Sequence, residues 1–196
     1  MNNGLYRFAH ALMRVIYAIF LPRKVYGGEN LPAEGGYILC ANHMSARDPI
    51  FLATCLPAAR GMRFLAKKEL FAFKPLAALL KTLGAIPVDR GASDMSAIRA
   101  AREAVKNDCA LMIFPQGTRS RDNSRTPLLS GAAMIAMLCR VPLIPAYIDG
   151  PYHLIKHSDV HFGKAIDLNS FGARPDQETL QKITDKIGDE IWSFSC

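Results

Sequence analysis

Three short stretches of this chain hold almost nothing but apolar residues: Tyr37-Ile38-Leu39-Cys40, Cys109-Ala110-Leu111-Met112-Ile113-Phe114, and Val141-Pro142-Leu143-Ile144-Pro145-Ala146-Tyr147-Ile148. A strand with one face in water alternates apolar and polar residues, whereas an unbroken run of this length marks a strand covered on both faces. Such strands need helices above and below them, and the intervening segments supply these. Pro49 to Leu56 reads as a helix with Pro at its first position. Ser93 can cap a helix whose Met95, Ile98, Ala101 and Val105 keep helical spacing. Ser130 to Leu138 is apolar nearly all round and reads as a buried helix. Residues 176–193 put Leu180, Ile183, Ile187 and Ile191 on one face of an amphipathic helix. Met62 to Ala66, Gly84 to Arg90 and Asp159 to Gly163 add shorter strands, with Pro87 marking an edge or a strand end. The alternation predicts an α/β fold: a mostly parallel central sheet with helices on both faces.

At 196 residues the chain suits one compact domain with a substantial core. Twenty-four basic against 17 acidic residues leave a formal charge of +7, which favours anionic partners such as phosphorylated substrates, acidic lipid head groups or an acidic carrier protein. Nucleic acid is disfavoured, because the basic residues form no long runs interleaved with aromatics. The five cysteines share no CxxC spacing, and four lie in apolar surroundings, as small buried hydrophobes in a reducing compartment do.

Residues 5–21 read as a helix with a wide aromatic and aliphatic surface, edged by Arg7, His10 and Arg14 as one narrow basic stripe. That pattern suits a helix lying in a membrane interface; packing on the domain's own core is the alternative. Pro22 stops the helix, so the organisation expected is an amphipathic membrane-associating segment over 1–22 and an α/β domain over 23–196. No small-x-small cleavage site follows the first apolar run, and no stretch reaches the length of a spanning helix. Residues 67–83, interrupted at Pro75, carry Phe71, Phe73, Leu76, Leu79 and Leu80. They form either a core helix or a second region that dips into lipid or lines an acyl-chain channel.

Two polar stretches follow apolar runs and carry chemistry. In Asn42-His43-Met44-Ser45-Ala46-Arg47-Asp48, His43 falls in a strand-to-helix turn and Asp48 at the helix start. If the turn bends the chain, Asp48 can accept from one ring nitrogen of His43 and leave the other basic, ready to take a proton from a hydroxyl. Alternatively Asp48 is a helix cap and His43 an ordinary loop residue. In Pro115-Gln116-Gly117-Thr118-Arg119-Ser120-Arg121, a Gly beside Thr and Arg at a strand's end can build an anion site, or form a polar turn with solvated arginines. His153, His157 and His161 recur every fourth residue, but no carboxylate or Cys completes a metal site.

Four segments in this order resemble the glycerolipid acyltransferase family, whose bacterial members acylate lysophosphatidic acid. They are Asn42-His43…Asp48, Gly84-Ala85-Ile86-Pro87-Val88-Asp89-Arg90, Phe114-Pro115-Gln116-Gly117-Thr118-Arg119-Ser120 and Val141-Pro142-Leu143-Ile144-Pro145. The resemblance implies transfer of an acyl group from acyl-carrier protein or acyl-CoA to 1-acylglycerol 3-phosphate, giving phosphatidic acid, with neither cofactor nor metal. His43 would be the general base and Asp48 its orienting carboxylate. Arg90, Gln116, Gly117, Thr118 and Arg119 would bind the acceptor, with help from Lys67 or Lys68. An anionic membrane surface on its cytoplasmic face would be the working site. The chain departs from the family in having Gln116 where Glu is usual, and Leu-Ser before Gly131 where a Lys is common. Acylation of another lysolipid or an acylated amino acid, thioester hydrolysis, and lipid binding without catalysis are the rivals.

Overall fold

A computed structural model describes residues 4–57, 61–88, 95–120, 122–150, 152, 157–172 and 174–195. The chain opens with α1 (Gly4–Phe20) and the two-residue β1 (Val25–Tyr26). It continues through β2 (Tyr37–Ala41), α2 (Asp48–Cys55), β3 (Met62–Lys67), α3 (Lys74–Thr82), β4 (Ala85–Val88), α4 (Met95–Lys106) and β5 (Ala110–Ile113). The last elements are α5 (Gly131–Cys139), β6 (Leu143–Ile148), β7 (Val160–Phe162) and α6 (Gln177–Trp192).

The seven strands form one sheet in the order β1-β7-β6-β2-β5-β3-β4. From β6 to β4 every pairing is parallel, while β7 runs antiparallel to β6 and carries β1 beside it. The fold expected from the apolar runs is therefore present, with Pro87 on the edge strand β4. β1 is the strand the sequence did not announce. Two residues are too few for a pattern, and Val25 and Tyr26 gain their pairing from β7, which lies far along the chain.

Alternation along β2 divides the core. Ile38 and Cys40 pack with Ala101, Val105, Ala133, Ala136, Ile183 and Ile187, which come from α4, α5 and α6. Tyr37, Leu39 and Ala41 face Tyr17, Phe51 and Leu52, which come from α1 and α2. Every β2 residue is buried, as a strand covered on both sides requires. Pro75 does not interrupt α3 but sits in its first turn, where its missing amide costs nothing, and a separate 3-10 turn covers Lys68–Phe71. The helix over Gly131–Cys139 buries Ala132, Ala133, Ile135 and Ala136 but leaves Leu138 exposed, so it is covered on one face only.

The topology itself locates a crevice. From β2 the chain crosses by α2 over one face of the sheet, and from the adjacent β5 it crosses by α5 over the other. Where neighbouring strands send their helices to opposite faces, the loops at their carboxyl ends part and leave a cleft.

Gly36, just before β2, lets that strand pass close to the end of α4: a methyl on Gly36 would stand 1.9 Å from the Val105 carbonyl oxygen. Backbone cannot yield as a flexible side chain can. Gly36→Ala is expected to lose about 1–3 kcal/mol of stability, measured as a lower midpoint in thermal or urea unfolding.

Candidate active site

The loops that follow β2 and β5 meet in this crevice. Asp48 opens α2 and is fully buried, while the His43 side chain keeps 14% of its surface exposed. His43 Nδ1 lies 2.7 Å from Asp48 Oδ2. The carboxylate can only accept, so Nδ1 carries the proton and Nε2 carries the lone pair. Nε2 has no partner among the described residues. The imidazole is stacked on Phe114, with centroids 4.1 Å apart and planes 22° apart, so its face is held by the residue after β5.

Asp48 is not a cap for its own helix. Its Oδ2 also accepts from the amides of Met44 at 2.7 Å and Ser45 at 2.9 Å, so the carboxylate reaches back and curls residues 43–47 around itself. This is the bend that lets residues five apart meet. Its other oxygen, Oδ1, accepts from the Tyr152 hydroxyl at 2.7 Å. Burial first, and then the neighbouring Asp48, push the Tyr152 phenol far up, so it stays protonated and donates.

The loop after β5 braces the backbone of His43 from both sides. Gln116 Oε1 accepts the His43 amide at 2.7 Å, and the Ser120 amide donates to the His43 carbonyl at 2.8 Å. Gln116, only 6% exposed, uses its amide nitrogen to donate to Thr126 Oγ1 at 3.0 Å. Its polar atoms are thus taken up inside the protein, and it does not present itself to an acceptor as expected. Gly117 turns the chain with φ +67°, closing a turn in which its amide donates to the Phe114 carbonyl at 3.0 Å. Thr118 and Arg119 come next and are exposed, with no partner for either amide among the described residues. Ser120 and Ser124 hydrogen-bond Asp122, which lowers its carboxyl to about 2 and ties the far side of the loop together.

Asn42 is fully buried and completes the frame. It exchanges hydrogen bonds with the backbone of Ile148 at 2.7 and 2.9 Å, continuing the β2–β6 ladder by one side chain, and donates to Asn123 Oδ1 at 2.7 Å. Lys67, at the carboxyl end of β3, is half-exposed and pairs with Glu69 at 3.1 Å. Arg90 and its neighbour Asp89 lie outside the described residues. So does His153; His161 is instead stacked between Tyr26 and Phe194, and no metal-binding cluster occurs among the described residues.

The structure thus brings His43, Asp48 and Gln116 together, with Gly117 and the exposed Thr118 and Arg119 following Gln116 in the loop that braces the His43 backbone. Tyr152 and Asn123 are residues of this frame that the sequence did not reveal, and Asn42, part of the quoted motif, gains its bracing role only from the structure. Tyr152 lies 104 positions beyond its carboxylate partner, and nothing local marks it.

The site is thus an imidazole fixed in one tautomer by a buried carboxylate, at the carboxyl end of the mostly parallel sheet of an α/β protein. A model of the family described as Acyltransferase matches residues 22–149, which take in both loops, and the chain belongs to that family. Among its relatives, the 1-acyl-sn-glycerol-3-phosphate acyltransferase of Bacillus subtilis is 32% identical over 192 residues, covering 95% of each chain. The Streptococcus pneumoniae protein of the same name is 30% identical, over 82% of this chain and 68% of its own. In fold, the chain is similar to the crystal structure of the 1-acyl-sn-glycerophosphate acyltransferase PlsC from Thermotoga maritima. The TM-score is 0.72 at 24% identity, over 95% of this chain and 80% of that one.

Gln116→Leu removes, at a buried position, the acceptor of the His43 amide and the donor to Thr126 Oγ1. Losing such a partner costs about 1–3 kcal/mol, so a lower unfolding midpoint is expected. Gln116→Glu, which keeps one oxygen on the His43 amide, should lose less in the same measurement.

Proposed function

We propose that this protein transfers a fatty acyl group from a thioester, acyl-carrier protein or acyl-CoA, to the free hydroxyl of 1-acylglycerol 3-phosphate, giving phosphatidic acid. The observation that carries the reading is the Nε2 of His43, without a partner among the described residues, its ring fixed by Asp48 and Phe114 and its backbone braced by the loop that carries the exposed Thr118 and Arg119. The names of the relatives support the same substrate.

In this reading the acceptor hydroxyl approaches Nε2 and gives up its proton as its oxygen attacks the thioester carbonyl. A carbon–oxygen bond forms, and the tetrahedral intermediate collapses by breaking the carbon–sulfur bond. The departing thiolate takes the proton back from Nε2. Asp48 offsets the charge on the imidazolium between the two steps, and no residue is acylated. Cys40 and Cys55 support direct transfer, since burial raises both thiols away from the reactive thiolate. Arg119, the free amides of Thr118 and Arg119, and Arg90 bind the acceptor phosphate, with Lys67 in a lesser part. The rival closest in chemistry, acylation of a different lysolipid, keeps the same dyad and differs only in what the arginine loop holds.

The protein works on a membrane surface, held there by α1. This helix buries Tyr6, His10 and Tyr17 against the domain, where the Tyr6 hydroxyl accepts the Met62 amide at 3.1 Å and His10 bonds the Ala53 carbonyl at 2.9 Å. His10 therefore leaves the basic stripe, and Arg7 and Arg14 alone remain exposed on that edge. Away from the core, Phe8, Leu12, Val15 and Ile19 are half to two-thirds exposed. No helix among the described residues is long and apolar enough to cross a membrane. A docked helix with an outward apolar face and flanking arginines fits the headgroup–acyl boundary of anionic lipid. The free thiols of Cys40 and Cys109 suit the reducing, cytoplasmic side.

Purified protein given labelled lysophosphatidate in vesicles and a thioester donor should form phosphatidate, and an acceptor panel resolved by mass spectrometry should rank lysophosphatidate first. His43→Ala is expected to slow the reaction by about 10²–10⁴; full activity in that variant would remove the general-base role. Because α1 is part of the packed core, its lipid contact is tested by charge rather than by deletion. Phe8→Glu with Ile19→Glu should release the protein from sedimenting anionic vesicles while leaving its unfolding midpoint in place.

A further inference from the structure

We propose that Tyr152 is a positioning residue for the His43–Asp48 pair: its hydroxyl holds the second carboxylate oxygen and sets the orientation and charge that Asp48 presents to the imidazole. This deepens the acyl-transfer reading, since it concerns the base on which that reading depends.

The two oxygens of Asp48 are unequally served. Oδ2 receives His43 Nδ1 and the amides of Met44 and Ser45, whereas Oδ1 receives, among the described residues, Tyr152 alone, at 2.7 Å. The residue is fully buried, so among the described residues nothing else can take the place of that donor. A carboxylate in such a site with one oxygen bare would rotate to share its donors or draw water in, and either change would loosen the imidazole.

Tyr152 also packs against the helix that carries the carboxylate it serves. Its ring meets Phe51 edge-on at 5.0 Å and 68°. Phe51 is fully buried and lies three residues beyond Asp48 in α2, hence on the same side of that helix. The phenol is therefore anchored to the helix that carries Asp48, although it arrives from the chain after β6. It does not reach Nε2, so it acts through Asp48 and not on substrate.

Its charge effect has a definite sign. A donor on Oδ1 draws negative charge away from Oδ2 and moderates how strongly the carboxylate favours the protonated imidazole. Without it, Oδ2 faces Nδ1 with more of the charge, and His43 holds its proton to higher pH. The other titratable or charged groups around this spot are Tyr17 from α1, Arg23 beyond α1, which lies 5.5 Å over the Phe51 ring, Arg47 before α2, and Cys55 at its end. Among the described residues none of them bonds the carboxylate.

Tyr152→Phe keeps the ring and removes only the hydroxyl. Its kcat is expected to fall about tenfold or more with little change in the KM of either substrate, and the acid limb of kcat/KM to move to higher pH. The titration of the His43 ring, followed by nitrogen-15 NMR on the folded protein without substrate, should move the same way. Ile144→Val, fully buried in the same core on β6, serves as the packing control: it should lower the unfolding midpoint without moving that titration. An unchanged His43 titration in Tyr152→Phe, or an equal shift in Ile144→Val, overturns the proposal. The NMR readout needs no turnover, so a wild type inactive toward every thioester would defeat the functional reading and leave this test standing.

Discussion

One buried carboxylate sets the geometry of this site. Asp48 has no exposed surface, and a charge so placed is tolerated only when its lone pairs are filled. Two of its donors are backbone amides from the loop that it closes. Loop shape and charge therefore depend on each other: without the carboxylate, nothing gathers the Met44 and Ser45 amides, and without those amides the carboxylate is stranded. Removing one partner from a buried ionic arrangement commonly costs about 3–5 kcal/mol. Such a penalty makes the bent loop the lowest state, and the imidazole inherits its position from that bend.

The rest of the crevice supports the loop that Asp48 shapes. The segment after β5 grips both the amide and the carbonyl of His43, so this residue is fixed by its main chain as well as by its ring. Asn42, one residue earlier, locks the end of β2 to β6 with a side chain that mimics a strand. Three neighbouring strands thus contribute to one imidazole. That is possible only because α2 and α5 leave them on opposite faces and free the space between.

What the sequence disclosed and what it hid divide along one physical line. The apolar runs announced the central strands because burial on both faces is written into consecutive residues, as Ile38 and Leu39 facing opposite cores illustrate. His43 and Asp48 lie five apart, and their turn was a local possibility with two outcomes that sequence alone left open. Tyr152 and Asn123 were invisible, because a hydrogen bond spanning 81 or 104 positions leaves no local trace. β1 was missed for the same reason. His10 misled for a subtler cause: helical spacing aligned it with Arg7 and Arg14, yet it lies at the boundary of the face that docks on α2, and the carbonyl of Ala53 captures it.

Gln116 shows how a departure from a family's pattern can be read from its partners. A glutamate there would carry charge and only accept hydrogen bonds. The position in this chain asks for something else: the His43 amide needs an acceptor, while Thr126 Oγ1 and the Ser124 carbonyl, at 3.0 and 3.5 Å, face a donor. A primary amide meets both demands with no charge to bury at a site only 6% exposed. With the amide occupied in this way, Arg119 and the backbone amides of Thr118 and Arg119 are left as exposed groups of this loop without a partner among the described residues. Neutral bracing and exposed cationic charge are thus carried by different residues of one short loop, and the contact between His43 and Asp48 is untouched by the exchange.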